Sequence, residues 1–158
     1  MKGGDYIVRS GTIEMGKVKK TYGQQKKHFS QFSETELDFL KNSLRNIDLN
    51  SITISKHLRF KDIKFDLQDI FDTLQSNDLS KMIIEYNQTP KGSFLDKRVL
   101  VRSTKSYDVY IDNKIKKCNL CFVISILTCE IITAYYNRAE DNHTSIDMRR
   151  YNCNLKIA

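Results

Sequence analysis

Two well-separated histidines, a pair of alternating arginines and one crowded polar run are the residues of this chain whose types could do chemistry. The run is 135-YYNRAEDNHTSIDMRRY-151, which follows directly on a hydrophobic segment and carries His143. His57 lies far upstream, in 55-SKHLRFKDI-63. An imidazole with an ordinary pKa of about 6.5 can serve as general base or general acid at neutral pH, and two of them at the end of a sheet can divide the roles. Attack of an RNA 2′-hydroxyl on its own phosphate suits such a pair, because the reaction is intramolecular and needs no metal. It needs a base, an acid and cations for the charge that gathers on the phosphorane. The cations stand in 98-RVLVRS-103, where alternation puts Arg98, Leu100 and Arg102 on one face and Val99 and Val101 on the other. A guanidinium is costly to bury unpaired, so these arginines imply a phosphate, a carboxylate such as Glu85 on a neighbouring strand, or water.

Turn and cap chemistry accounts for Asp141, Asn142 and Asp147, and Asn137 ends the strand. Tyr135, Tyr136 and Tyr151 can stack on bases or close the core. The expected catalytic set is His57, His143, Arg98 and Arg102, with Arg59, Lys61, Tyr135, Asn137 and Tyr151 as RNA contacts. His28, in 26-KKHF-29, is expected at the surface.

Four cysteines complete the reactive side chains, and 118-CNLC-121 has zinc-like spacing. It opens a strand-like segment, however, where residues three apart face opposite ways, whereas zinc ligands sit together on a tight turn. Reduced, partly buried thiols are the expectation, with no metal and no cofactor.

The formal net charge is +7, which favours polyanionic partners. It is concentrated in residues 1–32, where Lys2, Arg9, Lys17, Lys19, Lys20, Lys26 and Lys27 face only Asp5 and Glu14. RNA is the expected partner, with a host protein or a neutralising antitoxin as further candidates. No apolar run reaches the roughly 18 residues of a membrane span, and MKGGDYIVRSG lacks the apolar centre of a secretory signal. A cytoplasmic location, without membrane association, is expected. No helix-turn-helix pattern suggests a DNA-binding regulator.

The elements that must position these residues form one α+β domain over 33–158, preceded by a basic extension over 1–32 with one short strand around Tyr6–Val8. The capping box 33-SETE-36 and the spacing of Leu37, Leu40 and Leu44 predict a helix over 34–46. Ser55 can cap a short turn carrying His57, and Asp66 caps a helix with the stripe Leu67, Ile70, Phe71 and Leu74. Strands are expected at 82-MIIEYNQ-88, 98-RVLVRS-103, 106-YDVYIDN-112, 118-CNLCFVISIL-127 and 130-EIITAYYN-137, with a turn at Pro90 and Gly92. Hairpins are expected at 103–106, 112–117 and 127–130. Two helices followed by a four- to five-stranded, mainly antiparallel sheet is the predicted architecture.

That order of parts, with 98-RVLVR-102, 122-FVISILTCEIITAYYN-137 and 141-DNHTSIDMRRY-151, resembles the BECR superfamily of small ribonuclease-like domains. The superfamily includes RelE/ParE-type toxins and the phage endoribonuclease RegB, and the resemblance covers residues 52–157. It implies a sheet face that presents His, Arg, Lys and Tyr to RNA without metal, here His57, Arg98, Arg102 and His143. Where relatives commonly carry Gly in the hairpin, this chain has Cys129. The implied function is a metal-independent endoribonuclease of toxin or phage type. The alternative is a non-catalytic phage or mobile-element protein whose basic sheet binds and inhibits a host nucleic-acid or protein target.

Overall fold

Ser33 and Glu36 start the first helix as their spacing predicts. The Ser33 hydroxyl accepts from the Glu36 amide at 3.1 Å, and a Glu36 carboxylate oxygen accepts from the Ser33 amide at 3.0 Å. Helix α1 then runs Glu34–Arg45, with Leu40 and Leu44 fully buried. A computed structural model describes residues 25–59, 65–141 and 147–157. Its further helices are α2, Lys56–Arg59, α3, Leu67–Leu74, and α4, Leu79–Met82. The Ser55 hydroxyl caps α2 by accepting from the Leu58 amide at 3.1 Å, and an Asp66 carboxylate oxygen caps α3 from the Gln68 amide at 2.9 Å.

The strands are β1, Lys26–His28, β2, Thr53–Ile54, β3, Ile83–Lys91, β4, Phe94–Ile111, β5, Lys114–Ser125, and β6, Glu130–Arg138. They form one mixed six-stranded sheet in the order β1-β3-β4-β5-β6-β2. All neighbours are antiparallel except β2, which lies parallel to β6. The described residues are therefore α+β, but with six strands rather than four or five and with four helices rather than two. α2 is the short turn expected after Ser55, and the additions β1, β2 and α4 are segments of two to four residues, too short for a hydrophobic period to reveal. The strand expected around Tyr6–Val8 lies outside the described residues.

A second departure concerns 103-STKS-106. Its polarity predicts a hairpin, yet β4 runs straight through it, with a register shift between Arg102 and Ser106. Side chains take over the ladder there. The buried Ser103 hydroxyl accepts from the Leu120 amide at 2.9 Å and donates to the Lys105 carbonyl at 2.7 Å, and the Asn119 amide donates to the same carbonyl. A bulge can thus look like a turn in sequence. The other turns fall within the stretches composition marks but are tighter, since β3 runs through Pro90 to Lys91 and β5 already begins at Lys114 rather than after Lys117. Asp112 and Asn113 both have positive φ, 51° and 63°, as a two-residue hairpin loop requires, and Gly92 has φ 59°. Cys129, at φ 62°, holds the left-handed conformation that glycine takes without cost.

One face of the sheet carries the core. Val99, Val101, Leu120, Phe122, Ile124, Ile131 and Ala134 share a buried cluster with Leu40, Leu44, Ile70, Leu74 and Leu79 from the helices. Among the described residues no helix is long and apolar enough to cross a membrane.

A buried ion pair joins β1, α1 and the C-terminal segment. Lys27 and Glu36 are 5% and 8% exposed, and the Lys27 ammonium stands 2.8 Å from a Glu36 oxygen. Lys27 also donates to the Leu155 carbonyl at 2.8 Å, and Glu36 accepts from the Ile157 amide at 3.1 Å. One pair therefore ties β1, the start of α1 and the C-terminal segment together. Removing one member of a buried pair strands the other, so Lys27→Met should lower the unfolding free energy by about 3–5 kcal/mol in urea titrations. Lys27→Met with Glu36→Gln, which removes both charges but keeps an acceptor, should recover most of that loss. Equal instability of the two variants would refute this account.

Candidate nucleic-acid interface

Strand alternation assigns the opposite face of the sheet. Cross-strand pairing places Arg102, Cys121 and Tyr135 in one row, and Ser106, Asn119 and Asn137 in the next. Three of the expected site residues, Arg102, Tyr135 and Asn137, are thereby brought onto one surface. Beside them, where β4 bulges, lies an open groove of about 560 Å³ lined by Lys81, Arg102, Ser106, Asn119 and Asp141, among others.

The two arginines of 98-RVLVRS-103 have different surroundings. The Arg98 Nε donates to Asp96 Oδ2 at 2.8 Å, and Asp96 is fully buried. The other Asp96 oxygen accepts from the Ser125 hydroxyl at 2.6 Å, while Ser125 accepts from the amides of Leu127 and Thr128. Burial pushes the Asp96 carboxyl up, but the bonds from Ser125, Arg98 and the Lys97 amide outweigh it and hold it below the usual range. Arg98 thus closes a polar hub that fixes the β5–β6 turn, and its carboxylate partner is Asp96 rather than Glu85. Arg102 is held differently. Its Nη2 donates to the Asn119 side-chain oxygen at 2.9 Å and to the Arg138 carbonyl at 3.2 Å, both neutral acceptors. Among the described residues no carboxylate pairs with it, and its charge stands at the groove.

Beneath Arg102, burial pushes the Cys121 thiol up to about 11, although Arg102 opposes the shift. Burial, then Cys121, pushes the Tyr135 phenol up to about 12. Both keep their protons at neutral pH, so Tyr135 is a donor rather than a base and Cys121 is no nucleophile. Cys118 and Cys121 are both buried, on opposite faces of β5.

Of the other expected residues, those that are described lie apart from the groove. His57 is exposed on α2, which leaves the sheet at its β2 edge. That edge is three strand spacings, about 14 Å, from β4. Arg59 closes α2, and Lys61 and His143 lie outside the described residues. Tyr151 donates to Glu85 at 2.6 Å, near the opposite edge. Tyr136 packs edge-on against Tyr107 at 6.0 Å between ring centres and closes the core.

His28 corrects its expected surface position. It is 5% exposed, opposite Glu85 in the β1–β3 pairing, with the Tyr151 ring edge-on at 5.1 Å and Phe29 at 4.3 Å. Nδ1 accepts from the Ser30 amide at 3.2 Å, which puts the proton on Nε2, and Nε2 is buried without a hydrogen-bond partner among the described residues. A three-residue strand among lysines carries no periodic signal that could have announced this. Lys81 and Asn119 were missed because only the fold carries them to Arg102.

No family model, no curated protein and no solved structure matches this chain.

Two outcomes follow from these environments. Exposed Cys153 should react rapidly with an aromatic disulfide near neutral pH, while Cys118 and Cys121 react only at the rate of unfolding; fast modification of Cys121 would refute its protection. Acidification should destabilise the chain in two stages. Burial lowers the His28 pKa, partly opposed by Glu85, so the folded chain binds fewer protons than the unfolded one. The stability this group contributes is complete above about pH 6.5 and is lost as pH falls through the lowered folded value. Glu36, where burial is outweighed by Lys27 and backbone amides, and Asp96 add a second loss below about pH 4.5. Urea midpoints measured against pH check both stages, and His28→Asn should remove the upper one.

Proposed function

We propose that this chain binds RNA along the open face of its sheet, with Arg102 at the groove holding a backbone phosphate. One observation carries the reading: Arg102 is oriented by the neutral oxygens of Asn119 and Arg138 and keeps its charge for an external anion. Lys81 on the same groove adds a second cation, Asn119 and Asn137 add polar contacts, and Tyr135 adds a partly exposed ring that remains protonated. The chain's net charge of +7 agrees with a polyanionic partner. A BECR-like ancestry, in which a sheet face meets RNA without metal, fits the same surface.

Two versions of this function separate on catalysis. The non-catalytic version, a protein that occupies a host nucleic-acid or protein surface, is favoured by the distance of His57 from the groove strand. The cleaving version is favoured by Asp141, a groove residue from which the sequence continues directly into Asn142 and His143. There the 2′-hydroxyl would lose its proton to a base and attack phosphorus, and the bond to O5′ would break as that oxygen takes a proton. The products are a 2′,3′-cyclic phosphate and a 5′-hydroxyl.

Single-stranded RNA binding measured across salt tests the shared reading. Arg102→Ala should weaken affinity about 10- to 100-fold, the loss of one charge-assisted contact, and reduce the salt slope by about 0.7. Unchanged affinity would sink it. End-group analysis of an RNA panel in EDTA separates the versions: cyclic phosphate ends that disappear in His143→Ala establish cleavage, and intact RNA with a stable complex establishes binding alone.

A further inference from the structure

Strands β4 and β5 continue past the sheet that holds them. The last residue of β3 paired to β4 near the groove is Ile83, opposite Val101, and the last of β6 paired to β5 is Arg138, opposite Cys118. Beyond that point Val109, Tyr110 and Ile111 pair only with Lys116, Ile115 and Lys114, closed by the Asp112–Asn113 turn. A free two-stranded ribbon adds little stability of its own. At its tip Tyr110 and Ile115, directly opposite each other, are 70% and 67% exposed. They are the two most exposed large hydrophobic side chains among the described residues. Alternation puts this pair on the same face as Arg102 and Asn119.

We infer that the ribbon is a second RNA contact, a stacking platform for bases of the single strand whose phosphate sits at Arg102; the inference rests on the RNA-binding reading above. Continuity with the Arg102 surface and the ribbon's net charge select the occupant. Residues 104–117 hold Lys105, Lys114, Lys116 and Lys117 against Asp108 and Asp112, a balance of +2 around an apolar centre. On the Tyr110 face Lys117 is paired with Asp108 at 2.7 Å, Lys105 lies over the Tyr107 ring, and Lys114 and Lys116 stand on the other face of the ribbon. An exposed ring on a ribbon of net positive charge suits a strand whose bases are unstacked and whose phosphates run alongside. Paired bases in an A-form duplex offer no open faces to such a ring. Six residue steps along β5 lead from Cys121, opposite Arg102, to Ile115, so the two contacts lie about 20 Å apart on one surface. A short oligonucleotide reaches one of them and a longer one reaches both.

Binding of oligouridylates of about 4 and about 16 nucleotides by the full chain, with a duplex of the longer length for comparison, tests this. Tyr110→Ala with Ile115→Ser alters two exposed positions, and an unchanged urea midpoint verifies the fold. The expected result is a loss of about five- to 100-fold on the long single strand, little change on the short one, and little change on the duplex. Equal affinity of variant and wild type for the long strand overturns the inference while leaving Arg102 intact, and returns the ribbon to a protein-docking role. An equal loss on duplex and single strand also overturns it, because stacking cannot then be the contact. If wild-type protein binds neither oligonucleotide, the RNA-binding reading itself fails.

Discussion

The Lys27–Glu36 pair is the constraint on which the rest of the arrangement depends. Burial of two opposite charges is tolerated only where their remaining donors and acceptors are satisfied, and here Leu155, Ser33 and Ile157 satisfy them. The result is a junction among three distant parts of the chain. Strand β1 is held against β3, α1 is held at its N-terminus, and the C-terminal segment is fastened beneath both. From β1 follow the burial of His28 opposite Glu85 and the position of Tyr151 over its ring. An apolar contact could supply similar stability, but it would not fix the register in which these groups meet.

Sheet parity divides the remaining work. Residues of one parity on β4, β5 and β6 enter the apolar cluster, and those of the other form the polar surface with Arg102, Asn119, Tyr135 and Asn137. The bulge between Arg102 and Ser106 lies where that surface opens into the groove. Extra residues there disturb the ladder, and Ser103 and Asn119 repair it with side-chain hydrogen bonds. The same Asn119 orients Arg102, so the repair of the strand and the presentation of the cation share a residue.

Arg98 and Arg102 differ by environment rather than by chemistry. Both carry the same group on the same face of one strand, four residues apart. Asp96 neutralises the first to secure a turn, while two neutral oxygens hold the second and leave its charge unopposed. Alternation alone therefore nominates both arginines, and only their neighbours separate a structural cation from a binding one.

Much of the local structure was legible in the residues. The capping box at Ser33, the Asp66 cap, the left-handed Asp112–Asn113 turn and the alternation of β4 follow from short-range physics, in which neighbours within a few positions decide the conformation. The two faces of the sheet follow from the same period. What tertiary structure alone decided were the pairings between distant residues. Short strands β1 and β2 exist because a neighbouring strand offers free backbone groups, not because their own sequences demand it. A polar segment became a bulge because Ser103 found Leu120. His28, expected at the surface, was buried opposite a strand more than 50 positions away, and Lys27 of the basic arm was buried by Glu36 together with the distant C-terminal segment. A histidine pair was the natural expectation from residue types, but whether two side chains meet depends on the sheet order between them, and no local pattern encodes that.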